Sequence, residues 1–286
     1  MPELPEVEVL VRHLVAAVKH KTIRAVAVRR PKVIAPTSPR RLERALTGTT
    51  FEGLSRRGKY LVFKLRPRGK GEAFLLIGHL GMTGRMYLQP ASQPLPKHAA
   101  VTLNLGRQNF IYEDQRYFGR LTLAVDGLSR LGPEPLAKEF TAKHLAAALQ
   151  RSTQPVKVKL LDQELVAGIG NIYASEALFR AGISPRLAAR RLQPGQVRRL
   201  WRAIRAVLRE AIACGSTIPL NFRGGKTGDR LFYYGRATGA PDCYVERLRV
   251  YDRASQPCVV CAAPIRRVIQ AARSTFYCPQ CQQGRK

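Results

Sequence analysis

After Pro5, apolar residues recur as Val7, Leu10, Val11, Leu14, Val15 and Val18. Steps of three and four predict an amphipathic helix. Glutamates fill its first turn, and Lys19, His20 and Lys21 read as its last, so both ends match the helix dipole. Pro5 suits a first turn, which leaves Pro2 and Glu3 just ahead of a well-anchored helix start. From residue 22 to 126 the period falls to two. "KYLVFKLR" sets Leu61, Phe63 and Leu65 on one side and Tyr60, Val62 and Lys64 on the other. "AVTLNL" alternates through Val101, Leu103 and Leu105, and "RLTLAV" through Leu121, Leu123 and Val125. "FLLIGHL" reads as a short, fully buried strand. Half-buried strands in such a series predict a β-sandwich behind the helix.

Gly132 and Pro133 of "LGPEPL" break the pattern, and beyond them the helical period returns. "TAKHLAAALQ" opens with Thr141 as a cap. "PVKVKLLDQELV" is expected to be helical from Pro155 to the "AGIGN" stretch, and "NIYASEALFRAG" from Asn171 to Gly182. Gly168 and Gly170 permit a tight turn. Asn171 is expected to cap the helix after it, whose free N–H groups would make an anion site. In the next helix Val197, Leu200, Trp201, Ile204 and Leu208 share one face. Arg198, Arg202, Arg205 and Arg209 share another, either a solvated face or a set of phosphate contacts. From Gly215 the chain turns glycine-rich and irregular, as a long loop would. The expected division is α+β and multidomain. It comprises an N-terminal helix with β-sandwich over 1–132, a helical domain over 133–245 whose long loop is 215–245, and a cysteine module over 246–286.

Composition adds a partner. Lys and Arg number 49 against 19 Asp and Glu, a net charge of +30 in 286 residues. Such an excess makes a polyanion, above all nucleic acid, the expected partner. No apolar run approaches the roughly 18 residues of a membrane span. The acidic "MPELPEVEV" opening is unlike a secretory signal. Cys258, Cys261, Cys278 and Cys281 follow C-x2-C-x16-C-x2-C, the spacing of a four-thiolate zinc site. With every position filled by the protein, one structural Zn2+ is expected; two disulfides are the alternative. Cys214 and Cys243 read as buried free thiols. Two chemistries are excluded. "PCVVC" supplies half of a nucleobase-deaminase signature, but none of His13, His20, His79, His98 or His144 has a glutamate two residues on. "GKT" ends like a phosphate loop, but Leu220 stands where that motif needs glycine.

The opening residues admit a sharper reading. With Met1 removed, which a following proline favours, Pro2 carries a secondary amine. An α-amino group titrates near ~7.7–8.0, so at neutral pH much of it is an unprotonated nucleophile. Attack on an aldehyde-like carbon gives an iminium ion, and Glu3 beside it could shuttle protons. The plainer alternative is that the proline only protects against proteolysis.

"MPELPEVE", "RRGKYL", "HLGMTGR", "DQRYFG", "LGPEPL", "GIGNIYASEALFRAGI" and "STFYCPQCQ" together resemble the bacterial formamidopyrimidine-DNA glycosylase and endonuclease VIII family, and its first branch more closely. The resemblance implies a helix–two-turn–helix in the central domain and a zinc-binding β-hairpin at the end. It further implies a bifunctional base-excision repair enzyme. Such an enzyme removes oxidised purines (formamidopyrimidine, with 8-oxoguanine left open) and cleaves the abasic strand by β,δ-elimination. By this resemblance Pro2 attacks C1′, Glu3 assists at the sugar and Lys59 contacts the backbone near the lesion. Glu6, Tyr173 and Glu176 support the site or line the base pocket. Met82, Arg116 and Phe118 fill the gap left by the extruded base. His79, His98, Asn171 and Arg273 complete the DNA contacts. The implied partner is double-stranded DNA carrying a damaged base or abasic site, bound by a monomer in a bacterial-type cytoplasm with its nucleoid, away from membrane.

Some positions depart from the family pattern. Gln115 and Tyr117 replace its usual proline and arginine, Ala100 a common histidine, and Leu220 a usual lysine in "STIPLNF". The altered loop keeps two alternatives open: an oxidised-pyrimidine glycosylase, and an inactive damaged-DNA binder of the same fold.

Overall fold

The structure, a computed structural model, describes residues 2–69, 71–214 and 248–283. The glycine-rich stretch expected as a loop, Leu220 and Cys243 therefore lie outside the described residues, as does Met1. The chain forms two compact units, one of Pro2 with Glu6–Ser129 and one of Glu3–Pro5 with the described residues from Arg130 onward.

In the first unit, helix α1 (Leu4–Val18) sends Val7, Leu10, Leu14 and Val18 into the core. It ends before the basic triplet expected in its last turn. His20 turns left-handed (φ 65) and gives its N–H to the Phe51 carbonyl at 2.8 Å, so the chain leaves the helix to join a sheet. There follow β1 (Ala25–Val28), α2 (Pro39–Leu46), β2 (Thr50–Arg57), β3 (Tyr60–Arg66), β4 (Phe74–His79), β5 (Arg85–Pro90), β6 (Ala99–Asn104), β7 (Gln108–Glu113), β8 (Arg120–Thr122) and the short α3 (Asp126–Ser129). They form two antiparallel four-stranded sheets, ordered β1-β6-β7-β5 and β2-β3-β4-β8. Leu61, Phe63, Leu65, Val101, Leu103 and Leu121 all face the shared core, as their alternation requires. The Phe63 and Phe110 rings meet edge to face at 5.6 Å. β8 is shorter than "RLTLAV" suggests. The Thr37 hydroxyl accepts the Leu123 N–H at 3.1 Å, and Val125 is exposed.

The second unit holds α4 (Ala142–Gln150), α5 (Val156–Leu160), α6 (Asn171–Ala181), α7 (Pro194–Ala213) and the hairpin β9 (Arg266–Gln270) with β10 (Arg273–Tyr277). Thr141 caps α4 as expected, its hydroxyl accepting the His144 N–H at 3.1 Å. α5 stops far short of "AGIGN" because side chains take over the backbone donors and acceptors. Asp162 Oδ1 accepts the Glu164 N–H, and Gln163 donates to the Leu161 and Ile169 carbonyls while accepting the Gly168 N–H. Along α7 Val197, Leu200, Ile204 and Leu208 are buried as predicted and Trp201 is half-buried. Arg205 of the opposite face is drawn onto the carbonyls of Pro135, Leu136 and Ala137, so it braces a turn of its own unit. Cys214, expected to be buried, is only half-buried at the end of α7.

Candidate active site and nucleic-acid interface

The N-terminus of α6 is closed by a residue from the other end of the sequence. Glu3 is 1% exposed, and its carboxylate accepts the N–H groups of Gly170 at 2.7 Å, Ile172 at 2.9 Å and Tyr173 at 3.4 Å. These are the donors an α-helix start leaves orphaned, and its dipole favours an anion there. A Cβ at residue 170 would collide with the carboxylate, so glycine is required by the close approach. Leu4 adds an N–H bond to the Gly168 carbonyl at 3.0 Å. The anion site expected at the "GIGN" turn thus exists, and Glu3 fills it. Asn171 does not cap: Gly170 is the N-cap, and the Asn171 amide instead donates to the Ser274 carbonyl at 2.8 Å.

Beside Asn171 lies a residue the sequence reading passed over. Lys157 of α5 is fully buried and donates to Asn171 Oδ1. Burial and the neighbouring Arg273 guanidinium bring its pKa down to about 8, against the opposing pull of Glu3. Its signal was a lysine on the apolar face of α5, between Val156 and Leu160. Arg273 opens β10 and is exposed. Tyr173 and Glu176 both line a cavity of about 540 Å3 with Arg180, Val207, Leu248 and Val260. Both Glu176 oxygens are engaged by backbone, accepting from Arg249 at 2.9 Å, Val250 at 3.0 Å and Tyr251 at 2.8 Å. Burial pushes its carboxyl pKa up, and those three donors offset part of the rise.

In the first unit Pro2 and Glu6 are buried. Lys59, 7% exposed, sits in the two-residue turn between β2 and β3. His79 ends β4 opposite Tyr60, their rings 4.8 Å apart. Its Nδ1 accepts the Gly81 N–H at 3.1 Å, which leaves Nε2 to carry the proton of the neutral ring. Burial, then the charges of Lys59 and Arg120, lower its pKa to about 4, so the ring is neutral at physiological pH.

Met82, Arg116 and Phe118 lie on two loops fastened to each other. Asp114, 0% exposed, is the fastener: it accepts the Thr83 hydroxyl at 2.6 Å and the N–H groups of Arg116 at 3.1 Å and Gly119 at 2.9 Å. Gly81 (φ 59) runs so close to the Phe118–Gly119 backbone that no side chain fits. Above this base Met82 and Phe118 remain 44% and 49% exposed, with the Arg116 guanidinium 4.8 Å from the Phe118 ring centre. His98 contributes its carbonyl to the Asp114 N–H at 3.1 Å, and its side chain is half-buried. Asp114 also escaped the sequence reading. An aspartate two residues before an N–H it can accept is the Asx-turn signature, and "DQR" carries it.

The four cysteines of the module come together with all Sγ atoms within 4.8 Å of one another. A tetrahedral zinc with Zn–S of about 2.3 Å needs sulfurs about 3.8 Å apart. The Cys258–Cys281 pair stands at 3.9 Å and Cys261–Cys278 at 3.4 Å, so the donor set fits one structural Zn2+. Gln282 ties the module to the helices, donating to the Ile183 carbonyl and accepting the Cys278 N–H, each at 2.9 Å. Among the described residues no helix is long and apolar enough to cross a membrane.

Three family models match the chain. They are the formamidopyrimidine-DNA glycosylase N-terminal domain over residues 1–121, the H2TH domain of the same enzyme over 131–221, and a zinc finger found in FPG and IleRS over 255–284. A formamidopyrimidine-DNA glycosylase of Symbiobacterium thermophilum is 40% identical over 99% of this chain and 89% of its own. One of Paracoccus denitrificans is 41% identical over 99% of this chain and 100% of its own. Among solved structures, the Lactococcus lactis Fpg in complex with DNA containing an abasic site is similar with a TM-score of 0.85. It is 34% identical and covers 99% of this chain and 100% of its own.

Proposed function

The chain belongs to the formamidopyrimidine-DNA glycosylase family, and from that premise we propose a base-excision repair reaction in which Pro2 is the nucleophile. The protein is a bifunctional DNA glycosylase and abasic-site lyase for oxidised purines in duplex DNA. The observation that carries the assignment of Pro2 is the state of its neighbour: Glu3 is buried and held by three backbone N–H donors, as a built site requires and a merely protective terminus does not.

With Met1 removed, the Pro2 nitrogen lone pair forms a bond to C1′ while the bond from C1′ to the damaged base breaks, and the base leaves with a proton. Opening of the C1′–O4′ bond, with O4′ taking up a proton from water, gives the iminium ion. Loss of a C2′ proton then expels the 3′ phosphate, and a second elimination expels the 5′ phosphate. Glu3 supplies a fixed negative charge beside the cation that develops at the sugar, needing no reorganisation as it forms. Lys59 holds the backbone near the lesion. His79 donates from Nε2 to a phosphate, and His98, Asn171 and Arg273 add to that grip. Lys157 is a positioning residue for Asn171. Met82, Arg116 and Phe118 enter the stack as the base leaves it. Glu6, Tyr173 and Glu176 support the pocket. When bound at Cys258, Cys261, Cys278 and Cys281, zinc cross-links the module and does no chemistry of its own. The protein acts as a monomer, in the cytoplasm with the nucleoid.

Borohydride trapping on a duplex with one abasic site, with mass mapping of the adduct, tests this reading. The expected adduct is on Pro2, and Pro2→Gly binds DNA without forming it. Tight binding with no adduct would make the chain a damage-binding protein instead. Competition among formamidopyrimidine, 8-oxoguanine and oxidised-pyrimidine duplexes then fixes the preferred lesion.

A further inference from the structure

Tyr117 stands between two exposed side chains, Arg116 and Phe118, and adopts the left-handed conformation (φ 55). For a bulky aromatic residue that conformation is strained and persists only where its surroundings impose it. The Tyr117 side chain is engaged by Arg30, which follows β1 and immediately precedes Pro31. Its Nε donates to the Tyr117 hydroxyl at 3.0 Å, and its guanidinium carbon lies 5.4 Å from the Tyr117 ring centre. Arg30 is itself tied to the sheet through an N–H bond to the Ala100 carbonyl at 3.2 Å. The Tyr117 ring, half-buried, rests on the sandwich core. With residue 117 turned left-handed, the residues before and after it lie together, and the Arg116 guanidinium covers the Phe118 ring at 4.8 Å. Asp114 fixes where this loop starts and ends. The Asp114 bonds, with the Thr83 hydroxyl also accepting the Arg116 N–H at 3.2 Å, hold the backbone on either side of the tip, whereas the Arg30–Tyr117 pair acts on the side chain at the tip.

We propose that Arg30 latches Tyr117 and so presents Arg116 and Phe118 as one preformed wedge, making Arg30 a positioning residue for extrusion of the damaged nucleotide. The inference rests on the reading that Arg116 and Phe118 enter the duplex, and the test separates the two. Arg30→Ala, Arg30→Lys, Tyr117→Phe and Phe118→Ala are compared with the parent on two substrates. One is a duplex with a single formamidopyrimidine and 2-aminopurine opposite it; the other is the same duplex with a preformed abasic site. Losing a stacked guanidinium and its hydrogen bond should slow excision about tenfold and lower the 2-aminopurine fluorescence rise in step. Arg30→Lys should lose nearly as much as Arg30→Ala, since lysine keeps the charge but not the planar stack. Tyr117→Phe, which lacks only the hydroxyl, should lose less. In the Arg30 and Tyr117 variants, cleavage at the preformed abasic site, the salt dependence of DNA affinity and the melting temperature should stay at parental values. A parental Arg30→Lys beside a weakened, less salt-sensitive Arg30→Ala would make Arg30 a plain phosphate contact and overturn the latch. Equal losses on both substrates, or an unchanged Arg30→Ala, would overturn it too. If Phe118→Ala also leaves extrusion unchanged, the wedge reading itself fails.

Discussion

The start of α6 and the loop around residues 114–119 are each organised by one buried carboxylate, and they use it in opposite ways. Glu3 gathers three backbone N–H groups and stands next to the proposed nucleophile, so in the proposed reaction the anchored group is itself the working group. Asp114 gathers two N–H groups and the Thr83 hydroxyl, while the groups proposed to enter the duplex are the exposed Met82, Arg116 and Phe118 carried above it. Charge stabilisation needs dipoles that are fixed and desolvated before reaction. Insertion into a base stack needs apolar and planar surface left in water beforehand, on a base stiff enough to aim it. In the proposed reaction, burial is placed at the chemistry in one region and beneath it in the other.

The comparison breaks most visibly at Glu3. Glu3→Gln keeps the shape but removes the charge, and turns a donor-bearing amide toward N–H groups that need acceptors. Base release should fall by roughly 10²–10⁴-fold, the usual weight of a positioned ionisable group. Weakening of the α6 start should add a stability loss of about 1 kcal/mol. Single-turnover excision with parallel denaturant melts measures both, and near-normal excision would mean Glu3 only caps a helix.

Asp114→Asn tests the other half. One Asn oxygen cannot serve all the donors that two carboxylate oxygens serve, so about 1–3 kcal/mol of stability should be lost. Because the working groups lie above the anchor, excision of the lesion should fall severalfold while cleavage at a preformed abasic site changes little. Equal losses on both substrates would place Asp114 with the chemistry and erase the distinction between the regions.

His79 offers a smaller test, in pH. Its folded pKa of about 4 lies below the ordinary imidazole value near 6.5. As pH falls through about 6.5 the unfolded chain takes up this proton first, so folded stability declines between there and about 4. His79→Gln should flatten that part of the stability profile. It should also leave DNA affinity with the parental pH dependence between 8 and 5, since the parent gains no charge at His79 over that range. An imidazole resonance titrating near 6.5 in the folded protein would refute the burial argument.

What was legible in the sequence follows the range of the interactions. The zinc cysteines, the strands holding Leu61, Phe63, Val101 and Leu103, and the extent of α6 rest on spacing within a few residues, and each formed as read. Glu3 was legible as chemistry but not as the cap of α6, because cap and helix are separated by 167 residues of chain. Asn171 took that role in the sequence reading because it was the nearest suitable side chain. α5 was overextended because Asp162 and Gln163 satisfy periodicity and yet divert the backbone into a turn. Lys157 and Asp114 stayed hidden because a charged residue discloses a burial partner only once the fold supplies it.

The smallest expected effect compares two strained turns. Ala271 (φ 46) and Ala272 (φ 58) join β9 to β10 in a left-handed pair, a turn for which Asn-Gly is the better-suited sequence. Each left-handed alanine costs roughly 1–2 kcal/mol of backbone strain. Unlike Tyr117, neither has a side chain long enough to be latched, and both are exposed. Ala271→Asn with Ala272→Gly should therefore stabilise the zinc-loaded protein by about 1 kcal/mol, leaving excision at the parental rate. Tyr117→Gly relieves the same kind of strain but discards the partner of Arg30, so it should lose excision whatever it gains in melting temperature. If the hairpin variant also lost excision, its strain would belong to the DNA contact proposed for Arg273, and the two turns would share one design.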